Sequence, residues 1–301
     1  MVFKLNAEVA VCGGKLLKLS HKSEVCKTLM DVNVYVPRQY QSGSAKRIPT
    51  LYYLSGLTCS PQNASEKAFW QIEADKYGFA LVFPDTSPRG DDVPTDPENG
   101  WDFGIGAGFY VNATQKPYVK HYNMYDYIHK ELPVLLDAFF REKDAGCTID
   151  FLRNIGITGH SMGGFGALSG FLKNYGKEVG GYRSCSAFAP IGNPSSVPWG
   201  EKAFGGYLGP DKRAWEEYDP CSLFGKVENT GKDRILIHVG TNDPFLEKQL
   251  KPELLLTATA GTSWEGMVDL HMEDGFDHSY YFVSSFVPEH AKFHARNLGL
   301  I

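Results

Sequence analysis

A chain of 301 residues with 43% apolar and 22% charged side chains carries enough hydrophobic material for a sizeable core. Its 30 Lys and Arg against 35 Asp and Glu leave a net charge of -5 with no massed basic field, which argues against nucleic acid or a membrane surface as partner. The six cysteines, at 12, 26, 59, 147, 185 and 221, form neither a C-x-x-C pair nor a zinc-ligand spacing, so no metal and no cofactor are expected, and reduced thiols in a cytoplasmic protein are expected over disulfides. The opening residues lack the apolar stretch of a signal peptide, and no later stretch reaches the length of a membrane span.

Residues 8–20 and 31–36 read as strands that open the sheet in antiparallel fashion, the second by strict alternation before Pro37. A polar loop over 41–47 precedes the apolar run 50–54, the mark of a strand covered on both faces. That run ends in Ser55-Gly56-Leu57-Thr58-Cys59. A helix is predicted over 64–77 and a buried strand over 79–84. Residues 85–118 form a long irregular segment rich in Pro, Gly and Asp, read as functional surface. Its glycine run, 104–108, neither follows a strand nor opens a helix, so a dinucleotide site is rejected. Residues 121–140 read as a helix kinked at Pro133. The alternating run with Ile155 and Ile157 then leads into Gly159-His160-Ser161-Met162-Gly163 and a helix-compatible stretch, 164–175.

Beyond this lie a strand over 184–189, an excursion over 190–223 and a strand over 235–239 that ends near Asp243. A helix over 246–259, a strand over 267–272, His278 and a final helix to about 298 complete the chain. No repeat or linker divides it, so residues 1–301 are read as one domain. Strands alternating with helices imply an α/β architecture, a mostly parallel sheet of about eight strands with helices on both faces, whose working residues sit at the carboxyl ends of strands.

The G-x-S-x-G pattern between strand and helix is the setting in which a sharp turn lifts a serine hydroxyl above the sheet edge. A serine hydroxyl is a poor nucleophile at neutral pH and needs a base that a third group orients. Ser161, Asp243 and His278 supply nucleophile, orienter and base in the chain order of α/β-hydrolases, each just past a strand. His160 is the rival base nearest in sequence, but beside the serine on the turn its side chain diverges. For the oxyanion, the backbone N–H groups of Met162 and Leu57 are the expected donors. Cys59, two residues past Leu57, is expected near the pocket mouth without being the nucleophile.

Tyr53-Leu-Ser-Gly-Leu-Thr-Cys59, Phe83-Pro-Asp-Thr-Ser-Pro-Arg-Gly90, Gly108-Phe-Tyr110, Gly159-His-Ser-Met-Gly-Gly164, Phe188-Ala-Pro190 and Asp277-His-Ser-Tyr-Tyr281 together resemble the S-formylglutathione hydrolase family, also called esterase D, of the α/β-hydrolase superfamily. The resemblance runs nearly end to end. It implies a cytosolic, cofactor-free thioesterase that releases formate and glutathione from S-formylglutathione in formaldehyde detoxification, with Ser161, Asp243 and His278 as its triad. It also implies a Cys59 that reacts with thiol reagents without being essential, side activity on carboxylic esters, and often a homodimer. Trp199, in a segment where other relatives carry a smaller apolar residue, is expected to narrow the acyl pocket toward formyl. Lys67, Arg89 and Lys202 lie in pocket-adjacent segments and are candidates to meet glutathione's two carboxylates. A general small-acyl carboxylesterase or an acyltransferase on the same scaffold is the alternative; an intact Ser, Asp and His in order speaks against an inert binding protein.

Overall fold

Residues 2–41, 43 and 45–301 are described in a computed structural model. The loop expected over 41–47 contains Ser42 and Ser44, which lie outside the described residues. The strands are β1 (Lys4–Val11), β2 (Gly14–Lys22), β3 (Leu29–Val36), β4 (Ile48–Leu54), β5 (Ala80–Pro84), β6 (Ile149–Gly159), β7 (Ser184–Phe188), β8 (Ile235–Gly240) and β9 (Val268–Glu273). They form one nine-stranded sheet in the order β1-β2-β3-β5-β4-β6-β7-β8-β9, one strand more than the expected eight or so. The β1-β2, β2-β3 and β3-β5 pairings are antiparallel and the rest are parallel.

The extra strand arises at residues 8–20, read as one strand from sequence. Val11 pairs with Gly14 across a two-residue turn, so the stretch is a hairpin with its corner at Cys12 and Gly13. Apolar residues on both sides of the corner keep the alternation unbroken, and the turn carries none of the usual Asn-Gly or Asp-Gly signature. The Asp75 carboxylate ties the corner down by accepting from the Gly13 N–H at 2.8 Å and the Tyr35 hydroxyl at 2.9 Å.

The helices are α1 (Pro61–Lys67), α2 (Trp70–Tyr77), α3 (Met124–Asp126), α4 (Leu132–Lys143), α5 (Met162–Lys173), α6 (Pro198–Leu208), α7 (Lys212–Trp215), α8 (Pro220–Phe224), α9 (Glu253–Thr259) and α10 (Tyr280–Asn297). Two expected helices are divided. The one over 64–77 breaks at Phe69, whose φ of 58° no continuous helix accommodates. The one over 246–259 breaks at Lys251, whose φ is 42°, whereas the one over 121–140 runs without a break from Met124 to Lys143, widening into a π turn at Tyr127–Glu131 just ahead of Pro133.

Alternation along β7 shows how the layers lie. The hydroxyls of Ser184 and Ser186 reach His294 of α10, while the thiol of Cys185 between them reaches the Ala167 carbonyl of α5. Successive side chains on a strand point to opposite faces, so α10 and α5 cover opposite sides of the sheet. One continuous core, from Phe3 to Ala291, fills both layers.

Candidate active site

Ser161 occupies the corner between β6 and α5, with φ 60° and ψ -121°. A non-glycine residue there is strained, and the surroundings hold it in place. The His160 N–H donates to the Leu54 carbonyl at 3.0 Å and the Ser161 N–H to the Phe188 carbonyl at 2.9 Å, pinning the turn to the ends of β4 and β7. The motif's last glycine is a matter of space: a Cβ on Gly163 would lie 2.0 Å from the Leu54 carbonyl oxygen. Any side chain at 163 would push α5 off the sheet and move the serine.

Asp243 and His278 leave the carboxyl ends of β8 and β9. The buried Asp243 carboxylate accepts the Phe245 N–H through Oδ1 at 2.8 Å, and its Oδ2 is hydrogen-bonded to His278 Nδ1. His278 and Ser161 line one cleft of about 260 Å³. Ser161 and His278 therefore share a cleft, and His278 is held from its Nδ1 side by Asp243.

The loop after β4 supplies the facing wall. Thr58 N–H donates to the Gly106 carbonyl at 2.8 Å, and the Tyr110 hydroxyl donates to the Ser55 carbonyl at 2.8 Å. Gly106, with φ +79°, approaches so closely that a Cβ there would lie 3.0 Å from Thr58 Cα. The glycine run in the long irregular segment thus serves as a brace for the Leu57–Thr58 loop. Among the described residues, neither the Leu57 N–H nor the Met162 N–H has a protein acceptor. The Met162 N–H also opens the 12-residue α5, whose amino-terminal end favours negative charge.

His160 is buried, and its ring lies 4.4 Å from that of His278. Burial, reinforced by His278, pushes its imidazole well below the usual histidine range, so it stays neutral beside His278. Trp199 forms the opposite wall with its ring 5.5 Å from Trp101 and 4.7 Å from Phe245. Trp101, Phe245 and Tyr280 also line the cleft and are missing from the residues expected by sequence. A cue existed for two of them, since Phe245 and Tyr280 each lie two residues past Asp243 and His278.

Cys59 lines the cleft with Sγ 3.9 Å from the Tyr280 hydroxyl. Burial pushes its thiol above the usual cysteine range, although the Tyr280 hydroxyl, the Gly56 backbone, Lys67 and Arg89 pull the other way. A raised value means less thiolate at neutral pH, and only the thiolate is nucleophilic. Alkylation of Cys59 by iodoacetamide is therefore expected to be slower than that of free cysteine at pH 7 and to rise about tenfold per pH unit toward pH ~9. Mass spectrometry of the labelled peptide checks this; a rate equal to free cysteine at pH 7 contradicts it.

The three expected cations differ. Arg89 is spoken for, with Nε 2.8 Å from Asp85 Oδ2 and a terminal nitrogen 2.9 Å from the Cys59 carbonyl. Lys202 bridges Asp96 at 2.7 Å and Asp102 at 2.6 Å. Both act as struts, and the carboxylates that hold them leave little charge for a ligand. Lys67 is exposed on a groove of about 530 Å³ that shares Ser279 and Tyr280 with the cleft. A second serine–histidine contact, Ser186 Oγ to His294 Nε2 at 2.8 Å, is sealed under α10 with both residues fully buried, out of reach of any substrate.

Residues 23–293 match the esterase family model. The S-formylglutathione hydrolase of Saccharomyces cerevisiae is 65% identical over 302 residues, covering 99% of this chain and 100% of that protein. An S-formylglutathione hydrolase from Agrobacterium tumefaciens superimposes with a TM-score of 0.87 at 42% identity, over 98% of this chain and 100% of that one. A fluorophosphonate-binding serine hydrolase of Staphylococcus aureus, at 17% identity, a TM-score of 0.65 and coverage of 94% and 98%, shares the fold.

Proposed function

The chain belongs to the esterase family, among the S-formylglutathione hydrolases, and from that footing we propose that it hydrolyses S-formylglutathione to formate and glutathione. The observation that carries this reading is the aromatic-walled cleft lined by both Ser161 and a His278 whose Nδ1 is bonded to Asp243. Its volume of about 260 Å³, below the ~300–1,000 Å³ of typical ligand pockets, and its walls of Trp101, Trp199 and Phe245 support a small acyl group there, with the glutathione body in the adjoining groove.

In this mechanism His278 Nε2 takes the hydroxyl proton as Ser161 Oγ bonds the formyl carbon. The carbonyl oxygen becomes an oxyanion facing the Leu57 and Met162 N–H groups. Collapse breaks the carbon–sulfur bond, and the glutathione sulfur leaves with the proton from His278. Water, losing a proton to His278, attacks the formyl ester; collapse then releases formate and returns that proton to Ser161. Asp243 keeps the proton on His278 Nδ1, and neutral His160 adds no competing charge. Lys67 is the cation we assign to a glutathione carboxylate. No helix among the described residues is long and apolar enough to cross a membrane. We assign the reaction to the cytosol, where the six free thiols would stay reduced.

The test compares kcat/KM for S-formylglutathione and for acetyl and butyryl esters, in the wild type and in Trp199→Ile. The wild type is expected to favour the formyl thioester. The variant is expected to shift that preference toward butyryl by about tenfold or more, since steric exclusion of a methylene is worth ~10–200-fold. Equal or better turnover of simple esters by the wild type would make the chain a general carboxylesterase; an unchanged preference in the variant would remove Trp199 from the acyl pocket.

A further inference from the structure

Behind the cleft, at the edge of the sheet, β8 and β9 run parallel with His238 paired to His271, and α10 passes beside them with Glu289. The ligand atoms of His238, His271 and Glu289 all lie within 4.8 Å of one another. His238 is 1% exposed, and its Nε2 lies 3.4 Å from Glu289 Oε2 and 3.4 Å from Glu273 Oε1. These separations exceed the usual N–H···O distance of about 2.7–3.2 Å. They match the roughly 3.3–3.4 Å edge of a tetrahedron whose metal–ligand bonds are ~2.0–2.1 Å.

The inner side of His238 is prepared for the same task. Its Nδ1 meets His290 Nε2 at 2.9 Å, and His290 Nδ1 meets Ser186 Oγ at 2.8 Å. Ser186 Oγ continues to His294 Nε2 and to Thr158 Oγ1, each at 2.8 Å. This chain accepts protons in either direction. With the Nδ1–H of His238 donating inward, Nε2 presents a lone pair to two carboxylates, an arrangement that a cation between them stabilises and that second-shell partners of metal-bound histidines commonly enforce. The His271 ring lies parallel to that of His238 at 4.7 Å, and being exposed it can turn a nitrogen toward the same point.

We propose that His238, His271 and Glu289, completed by Glu273 or by a water that Glu273 holds, form a site for a first-row divalent cation such as Zn²⁺. Two imidazoles and two carboxylates suit Zn²⁺, Co²⁺ or Ni²⁺ over Mg²⁺ or Ca²⁺, and the carboxylates balance the ion's charge. The expectation of no metal from sequence spacing looked only along the chain, whereas these ligands come from two strands and a helix. A bound ion would clamp α10 to β8 and β9, the strands whose ends carry Asp243 and His278.

The test uses chelator-stripped wild type and the double variant His271→Ala/Glu289→Gln, whose replaced side chains are exposed and lie outside the cleft. Zn²⁺ is titrated by calorimetry, Co²⁺ by visible absorption, and Tm is read with and without Zn²⁺. The wild type is expected to bind one equivalent more than the variant, to show tetrahedral Co²⁺ bands that the variant lacks, and to gain several degrees in Tm that the variant does not gain. Ester turnover equal to wild type shows that the variant is folded. Equal stoichiometry and equal Tm response in the two proteins, or no bound equivalent in the wild type, overturns the site.

Discussion

Ser161→Ala is expected to lower kcat by about a million-fold on thioester and ester substrates alike, with the protein still folded. Alanine keeps the Cβ that the strained corner already accommodates, and the backbone bonds from residues 160 and 161 to Leu54 and Phe188 do not involve the hydroxyl. What disappears is the atom proposed to form the acyl-enzyme. A residual rate of ~10³–10⁴ over water is expected, since the Leu57 and Met162 N–H groups still polarise a bound carbonyl. Steady-state kinetics with a chromogenic ester decide it, and loss of less than a hundredfold would remove Ser161 from the nucleophile's role.

Asp243→Asn is expected to cost about 10⁴-fold in kcat. The direction follows from the hydrogen bonds on the two carboxylate oxygens. Oδ1 accepts from the Phe245 N–H, so the amide oxygen of an asparagine takes that place and its NH₂ faces His278 Nδ1. A donor facing Nδ1 forces the imidazole proton onto Nε2, the atom that must receive the Ser161 proton. Raising the pH is expected to restore part of the rate by supplying a serine alkoxide without the base. A pH-rate profile parallel to wild type would mean that Asp243 serves packing alone.

The parts legible in the sequence are those written locally. Ser161 and Asp243 follow buried strands, His278 follows the half-exposed edge strand β9, and the parallel sheet brings strand ends together, so reading strand ends sufficed to put Ser161 and His278 on one cleft with Asp243 bonded behind His278. The hairpin at Cys12 escaped because its alternation runs through the corner. Trp101 escaped because it lies in a segment without periodicity, where an edge contact with buried Trp199 holds its exposed ring and leaves no pattern along the chain. Arg89 and Lys202, candidates for glutathione's carboxylates, are already ion-paired within the fold. Asp85, four residues before Arg89, was a visible warning, whereas Asp96 and Asp102 reach Lys202 only through the fold. The histidine and glutamate group at the sheet edge is illegible for the same reason, since its members run from 238 to 289 and converge through the β8-β9 register.

That register also sets when activity can begin. The serine corner is framed by β4, β6 and β7, all of which precede residue 189, while Asp243 and His278 depend on β8 and β9, the last two strands of the sheet. At about 5–20 residues per second, a ribosome needs on the order of ten seconds to add the segment between Ser161 and His278. Throughout that interval the nascent chain has Ser161 but neither Asp243 nor His278, so its hydroxyl has no base to take the proton and reactive acyl donors in the cell meet an inert serine.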